Sequence, residues 1–109
     1  MRPYEAMVIF EADLDEEAIR GVIDRGLEIV RGGGGEPGGV DHWGKRRFAY
    51  ELKHRWEGYY VVFQAQAEPA TVTELNRYLS LADEVVRHRV VTIPAYMYGK
   101  TRPSSPSDT

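Results

Sequence analysis

With 109 residues, 42% hydrophobic and 28% charged, the chain has the size and balance of one globular domain that buries roughly two-thirds of its extended surface. No stretch approaches the roughly 18 apolar residues of a spanning helix, and the start Met1-Arg2-Pro3-Tyr4-Glu5 lacks the apolar run of a signal peptide, which points to the cytoplasm. The absence of cysteine removes disulfides, thiol catalysis and thiolate-held metals, and a net charge of −3 argues against generic polyanion binding.

The charge is uneven. Residues 1–41 carry ten acidic and four basic side chains, net −6, whereas residues 42–109 carry seven and ten, net +3. Local placement of basic residues governs binding more than the total does.

In chain order, Tyr4 to Phe10 reads as a strand with Tyr4, Ala6, Val8 and Phe10 on one face and Met7 and Ile9 on the other. Asp13 is the expected N-cap of a helix, with Glu16 three residues on. Ala18, Ile19, Val22, Ile23, Leu27 and Val30 form its buried stripe and Gly32 its stop. Gly32 to Gly35, Pro37, Gly38 and Gly39 then read as a connecting loop with a mobile tip. A phosphate cradle fits poorly, because the helix precedes this glycine run and no Gly-Lys-Ser/Thr follows it.

Val40 to Lys53 is the second expected strand, with Phe48, Tyr50 and Leu52 alternating against Arg47, Glu51 and Lys53. His54 to Gly58 is the expected turn, and Tyr59 to Ala67 the third strand, rich in aromatic and β-branched residues. Pro69 opens a second helix with Val72, Leu75, Leu79 and Ala82 facing inward; Val85 to Ile93 is a fourth strand ended by Pro94. The order β-α-β-β-α-β predicts an α+β ferredoxin-like fold, a four-stranded antiparallel sheet with two helices on one face, over residues 1–98. Residues 99–109, rich in Pro and Ser, read as a disordered tail.

Catalytic patterns are missing. His42, His54 and His88 lie on separate elements without paired spacing, so they suggest no metal site. Glu16 and Glu17 belong to a helix's first turn, Asp83 and Glu84 to a surface loop, and the serines other than Ser80 to the tail. The reading is of a protein without enzymatic activity, cofactor or small-molecule substrate.

Basic residues give the positive signal. Lys45-Arg46-Arg47, then Arg87-His88-Arg89 on the fourth strand, and Arg2 on the first, are candidates to grip phosphates. The competing reading is that they solvate exposed sheet edges and discourage edge-to-edge pairing. The spacing does not say whether the three groups share a patch. Gly58-Tyr59-Tyr60-Val61-Val62-Phe63 partly imitates the aromatic strand of RNA-recognition modules, but Glu57, Tyr60 and Val61 depart from it, so core packing is the expectation for Tyr59, Val61 and Phe63.

Gly44-Lys45-Arg46-Arg47-Phe48-Ala49-Tyr50-Glu51-Leu52-Lys53 resembles the signature of the bacterial small-subunit ribosomal protein six family, with Phe48 and Leu52 as apolar exchanges. The opening Met1 to Glu5, Trp43, Gly58-Tyr59, Glu74 to Arg77, Val86-Arg87 and Val90 are similar too. The resemblance implies a structural constituent of the small ribosomal subunit. Such a protein would bind the central domain of 16S-type rRNA as a heterodimer with small-subunit ribosomal protein eighteen. It implies RNA or partner contacts for Arg2, Lys45, Arg46, Arg47 and Arg87, to which charge and strand position add His88 and Arg89, and structural roles for Tyr4, Tyr50 and Gly58. The alternatives are a stand-alone ferredoxin-like RNA-recognition domain and a small enzyme of related fold.

Overall fold

A computed structural model describes residues 1–99. Its elements are β1 (Arg2–Glu11), α1 (Glu16–Gly32), β2 (Glu36–Leu52), β3 (Arg55–Ala67), α2 (Pro69–Leu81), β4 (Val85–Thr92) and a short 3-10 turn at Ala95–Met97. The strands form one antiparallel sheet in the order β2-β3-β1-β4. This is the expected ferredoxin-like arrangement, with β1 and β3 central and β2 and β4 at the edges.

The alternation of β1 assigns its two faces. Ala6, Val8 and Phe10 join Val61, Phe63 and Ala65 of β3 beneath Ile19, Ile23, Leu27 and Val30 of α1 and Leu75 and Leu79 of α2. A second, smaller cluster of Ile9, Phe48, Tyr60 and Val86 lies on the helix-free face, flanked by Met7, Trp43 and Leu52. In α2, Leu75 and Leu79 are buried and Ala82 packs beside them as predicted, but Val72 is half-buried outside the core, and Thr71 and Tyr78 complete the stripe instead. Thr71 is buried against Gly33, where any Cβ would collide with its hydroxyl, and the Tyr78 hydroxyl donates to the Val22 carbonyl at 3.3 Å, tying α2 to α1. Pro69 stands at the first turn, where its missing N–H costs no intrahelical bond.

Several expected boundaries move. The N-cap of α1 is Asp15, not Asp13: its carboxylate accepts from the Ala18 amide at 2.8 Å, because helical backbone begins at Glu16. The glycine-rich connection is confined to residues 33–35, for β2 already begins at Glu36. Pro37 is accommodated because β2 is an edge strand. The β2–β3 turn is not His54 to Gly58. Leu52 pairs with Arg55, leaving a two-residue turn at Lys53 and His54, whose φ of 46° and 63° are the left-handed values a tight hairpin turn requires.

Beyond β4 the Ile93 amide donates to the Pro3 carbonyl at 3.1 Å, and the chain crosses the helix-free face. Tyr98 lies on Gly38, and the Gly99 amide donates to Gln64 Oε1 at 2.7 Å. Gln64 Nε2 in turn donates to Glu5 Oε2 at 3.5 Å within the sheet. Gly99, assigned to the tail by sequence, is thus held to β3; the rest of the predicted tail lies outside the described residues.

Candidate nucleic-acid interface

The helix-free face is positioned by strand register. Ile9 pairs with Arg87 and Met7 with Arg89, so both arginines of β4 project on that face. Ile9 also pairs with Tyr60 of β3, and Tyr60 with Gly44 of β2. One row therefore runs Arg87, Ile9, Tyr60, Gly44, about 14 Å across three strand spacings.

Gly44 sets which β2 residues reach this face. His42 pairs with Val61, but Gly44 pairs with Tyr60, so Trp43 and Gly44 together form a one-residue bulge. Gly44 has φ 87°, a conformation that side chains other than glycine's rarely adopt. Before the bulge, Val40 and His42 lie on the helix side, and His42 Nδ1 stands 3.2 Å from the Tyr59 hydroxyl. After it the phase reverses. Arg46, opposite Gly58, and Phe48 belong to the helix-free face, and Trp43 stacks on Tyr60 with ring centroids 6.3 Å apart and planes 6° from parallel. Phe48 reaches over Gly58, where an added Cβ would lie 2.9 Å from its ring and 2.6 Å from Ile9.

A hollow of about 150 Å³ opens beside this cluster. Its floor is Met7, Ile9 and Tyr60, its wall Tyr50 and Leu52, and its rim Arg87, His88 and Arg89. His88 stands opposite Val8 and lines a second hollow with Lys53, Leu79 and Ser80 at the β4 edge. Burial, and then the Lys53 charge, hold the His88 pKa below its usual value. The surface can thus offer fixed arginine charges around an apolar floor, with an imidazole held toward its neutral form at the neighbouring β4 edge.

Of the seven predicted residues, the structure brings Arg46, Arg87 and Arg89 to one face, with His88 at its edge. Lys45 stands opposite Tyr59 and Arg47 opposite Glu57, on the other side of β2 by register. Arg2 pairs with Ala67 seven residues back along β1 from Ile9, about 23 Å away, and so does not join them. Tyr50, expected to be structural, is 58% exposed, because Phe48 to Glu51 loop out opposite the single residue Trp56. Sequence reasoning missed Trp43, Tyr50 and Trp56 as surface features; the Trp43-Gly44 pair was the available signal for the bulge. Among the described residues no group of three His, Cys, Asp or Glu side chains is placed to hold a metal.

Comparison with known proteins agrees with this architecture. The family model described as Ribosomal protein S6 matches residues 3–92. The chain is 47% identical to the small ribosomal subunit protein bS6 of Streptomyces coelicolor and 50% identical to that of Mycobacterium tuberculosis. Each match spans 91 residues, 84% of this chain and 95% of the relative. The crystal structure of 30S ribosomal protein S6 from Thermotoga maritima superposes with a TM-score of 0.78 at 28% identity, covering 84% of this chain and 87% of that one. With the sheet order, the signature around Gly44 and these matches in agreement, the chain belongs to the ribosomal protein S6 family, as a ribosome-associated structural protein of the bacterial cytoplasm and not an enzyme.

Proposed function

We propose that the protein binds the central domain of small-subunit rRNA together with small-subunit ribosomal protein eighteen, using Arg46, Arg87 and Arg89 on the helix-free face. The observation that carries this reading is that strand register puts those three arginines, from opposite edges of the sheet, on one face, where Arg87 and Arg89 rim the floor of Met7, Ile9 and Tyr60. Guanidinium groups suit phosphate geometry because they donate in a planar fork. Lys45 and Arg47, exposed on the other side of β2, extend the basic surface around that edge, and His88, opposite Val8, adds a polar group at the β4 edge beside the two arginines. A chain of net charge −3 gains little from non-specific attraction, so recognition depends on RNA shape and on a shared protein surface.

The stand-alone RNA-recognition alternative requires an aromatic ring free to stack on bases from β3. Tyr60, which occupies that face, is 0% exposed beneath Trp43, which argues against this mode. The test is binding to a central-domain rRNA fragment with and without small-subunit ribosomal protein eighteen across a salt series. Partner-dependent binding that weakens steadily with salt is expected. Folded protein that binds the RNA in neither arm sinks the proposal.

A further inference from the structure

At the tip of the β2–β3 hairpin, Tyr50 is 58% and Trp56 52% exposed. This is not the result of simple alternation. Phe48 and Leu52, two residues to either side of Tyr50, turn inward to the helix-free cluster, while the four residues Phe48 to Glu51 loop out opposite Trp56 alone and put Tyr50 outside. The tip is also fixed. Arg55 Nε and Nη2 each lie 2.8 Å from Glu11 Oε1, and its Nη1 donates to the Lys53 carbonyl at 3.2 Å, bracing the left-handed turn against β1. Two large rings are therefore presented on a braced backbone, so little additional ordering is required when they dock.

Charge identifies what they meet. Within the tip, Arg55 is engaged by Glu11 and His54 lies 3.7 Å from the Glu51 carboxylate, while Glu51 and Glu57 balance Lys53 and Arg55 in number. A phosphate backbone would find almost no net positive charge there, in contrast to the Arg87 and Arg89 rim beyond Tyr50. Exposed Trp and Tyr amid mutually compensated charges are the side chains that anchor protein interfaces.

We propose that Tyr50 and Trp56 form the anchor of a protein partner that offers an uncharged apolar cleft, leaving RNA to the arginine face. The proposal rests on the partner-assisted reading above and divides its surface in two: Tyr50 marks the border, since it also walls the hollow rimmed by Arg87 and Arg89.

The experiment titrates the full chain with purified small-subunit ribosomal protein eighteen in the absence of RNA, and separately with the rRNA fragment. Trp56→Ala is expected to weaken the protein complex more than about tenfold and Tyr50→Ala by a smaller factor, while Lys53→Ala changes it less than about twofold. The Trp56→Ala ternary complex should keep the native salt slope. In a Trp43→Phe chain, whose one remaining indole is Trp56, acrylamide quenching of tryptophan emission should fall on adding the partner but not on adding RNA alone, a readout that leaves Trp56 itself unaltered. An unaltered partner affinity in folded Trp56→Ala, or protection of the indole by RNA without the partner, overturns the proposal. If the native chain assembles on RNA with the partner while Trp56→Ala does so equally well, the anchor fails and the wider reading survives. If the native chain binds neither, both fail.

Discussion

On the helix side of the sheet, Val8, Val61 and Phe63 are covered by two helices, whereas on the other side Ile9, Tyr60 and Val86 are covered mainly by side chains from β2, chiefly Phe48 and Trp43. The first is a conventional core whose parts come from every element. The second is local and depends on one strand changing phase at Gly44 and folding an aromatic ring over Gly58. The contrast teaches that, on the proposed reading, stability and recognition are assigned to different faces. A change on the first face should affect whether the protein folds, and a change on the second what it can hold.

The largest expected effect is on the helix side. Phe63→Ala should cost about 3–5 kcal/mol in urea denaturation, since it empties the centre of the larger core. A loss as small as that of a surface change would erase the distinction between the faces. Gly44→Val comes next, at about 1–3 kcal/mol for a branched side chain at φ 87°. Its sharper consequence is weaker RNA assembly, since the bulge it strains is what brings Arg46 to the helix-free face. Unchanged assembly in a destabilised Gly44→Val protein would separate Arg46 from the interface.

Replacing both Arg87 and Arg89 by Ala should alter stability by less than about 0.5 kcal/mol, as both are exposed. The log-log salt slope of the RNA complex should become shallower by roughly 0.7–0.9 for each lost phosphate contact. An unaltered slope would leave those arginines as solvated edge charges.

The smallest effect concerns His88. Its folded pKa lies below the unfolded value of about 6.5. The unfolded chain therefore takes up the proton first as pH falls, so stability declines from about pH 6.5 to the folded pKa and levels off below it. Between pH 8 and 5 the urea midpoint of the native chain should fall relative to that of His88→Asn over that window. Parallel curves would show that the imidazole feels neither the burial nor Lys53.

Much of the helix-side core was legible, because Ala6, Val8 and Phe10 alternate without interruption and α1 repeats its apolar positions at helical spacing. The candidate interface was less so, for a physical reason. Alternation carries a residue's face forward only while register is unbroken, and the bulge at Trp43-Gly44 reverses it within β2. Arg46 was thus identified by charge but not by direction, and Lys45 and Arg47 were grouped with a residue whose face they do not share. Tyr50 was misread for the same reason, since the loop-out opposite Trp56 breaks the pattern that would have paired it with Phe48 and Leu52. The turn at Lys53 and His54 contains neither Gly nor Asn, so no residue marked its left-handed backbone.

The crossing of residues 93–99 has a mechanical consequence. An edge strand is ordinarily detached by peeling, one ladder bond at a time, from its free end. Here tension applied at Gly99 is delivered first to Gln64 in the middle of the sheet and to β2 beneath Tyr98, and only afterwards to β4. A pull from that side must therefore break the Gly99–Gln64 hydrogen bond and lift Tyr98 off Gly38 before β4 can begin to peel.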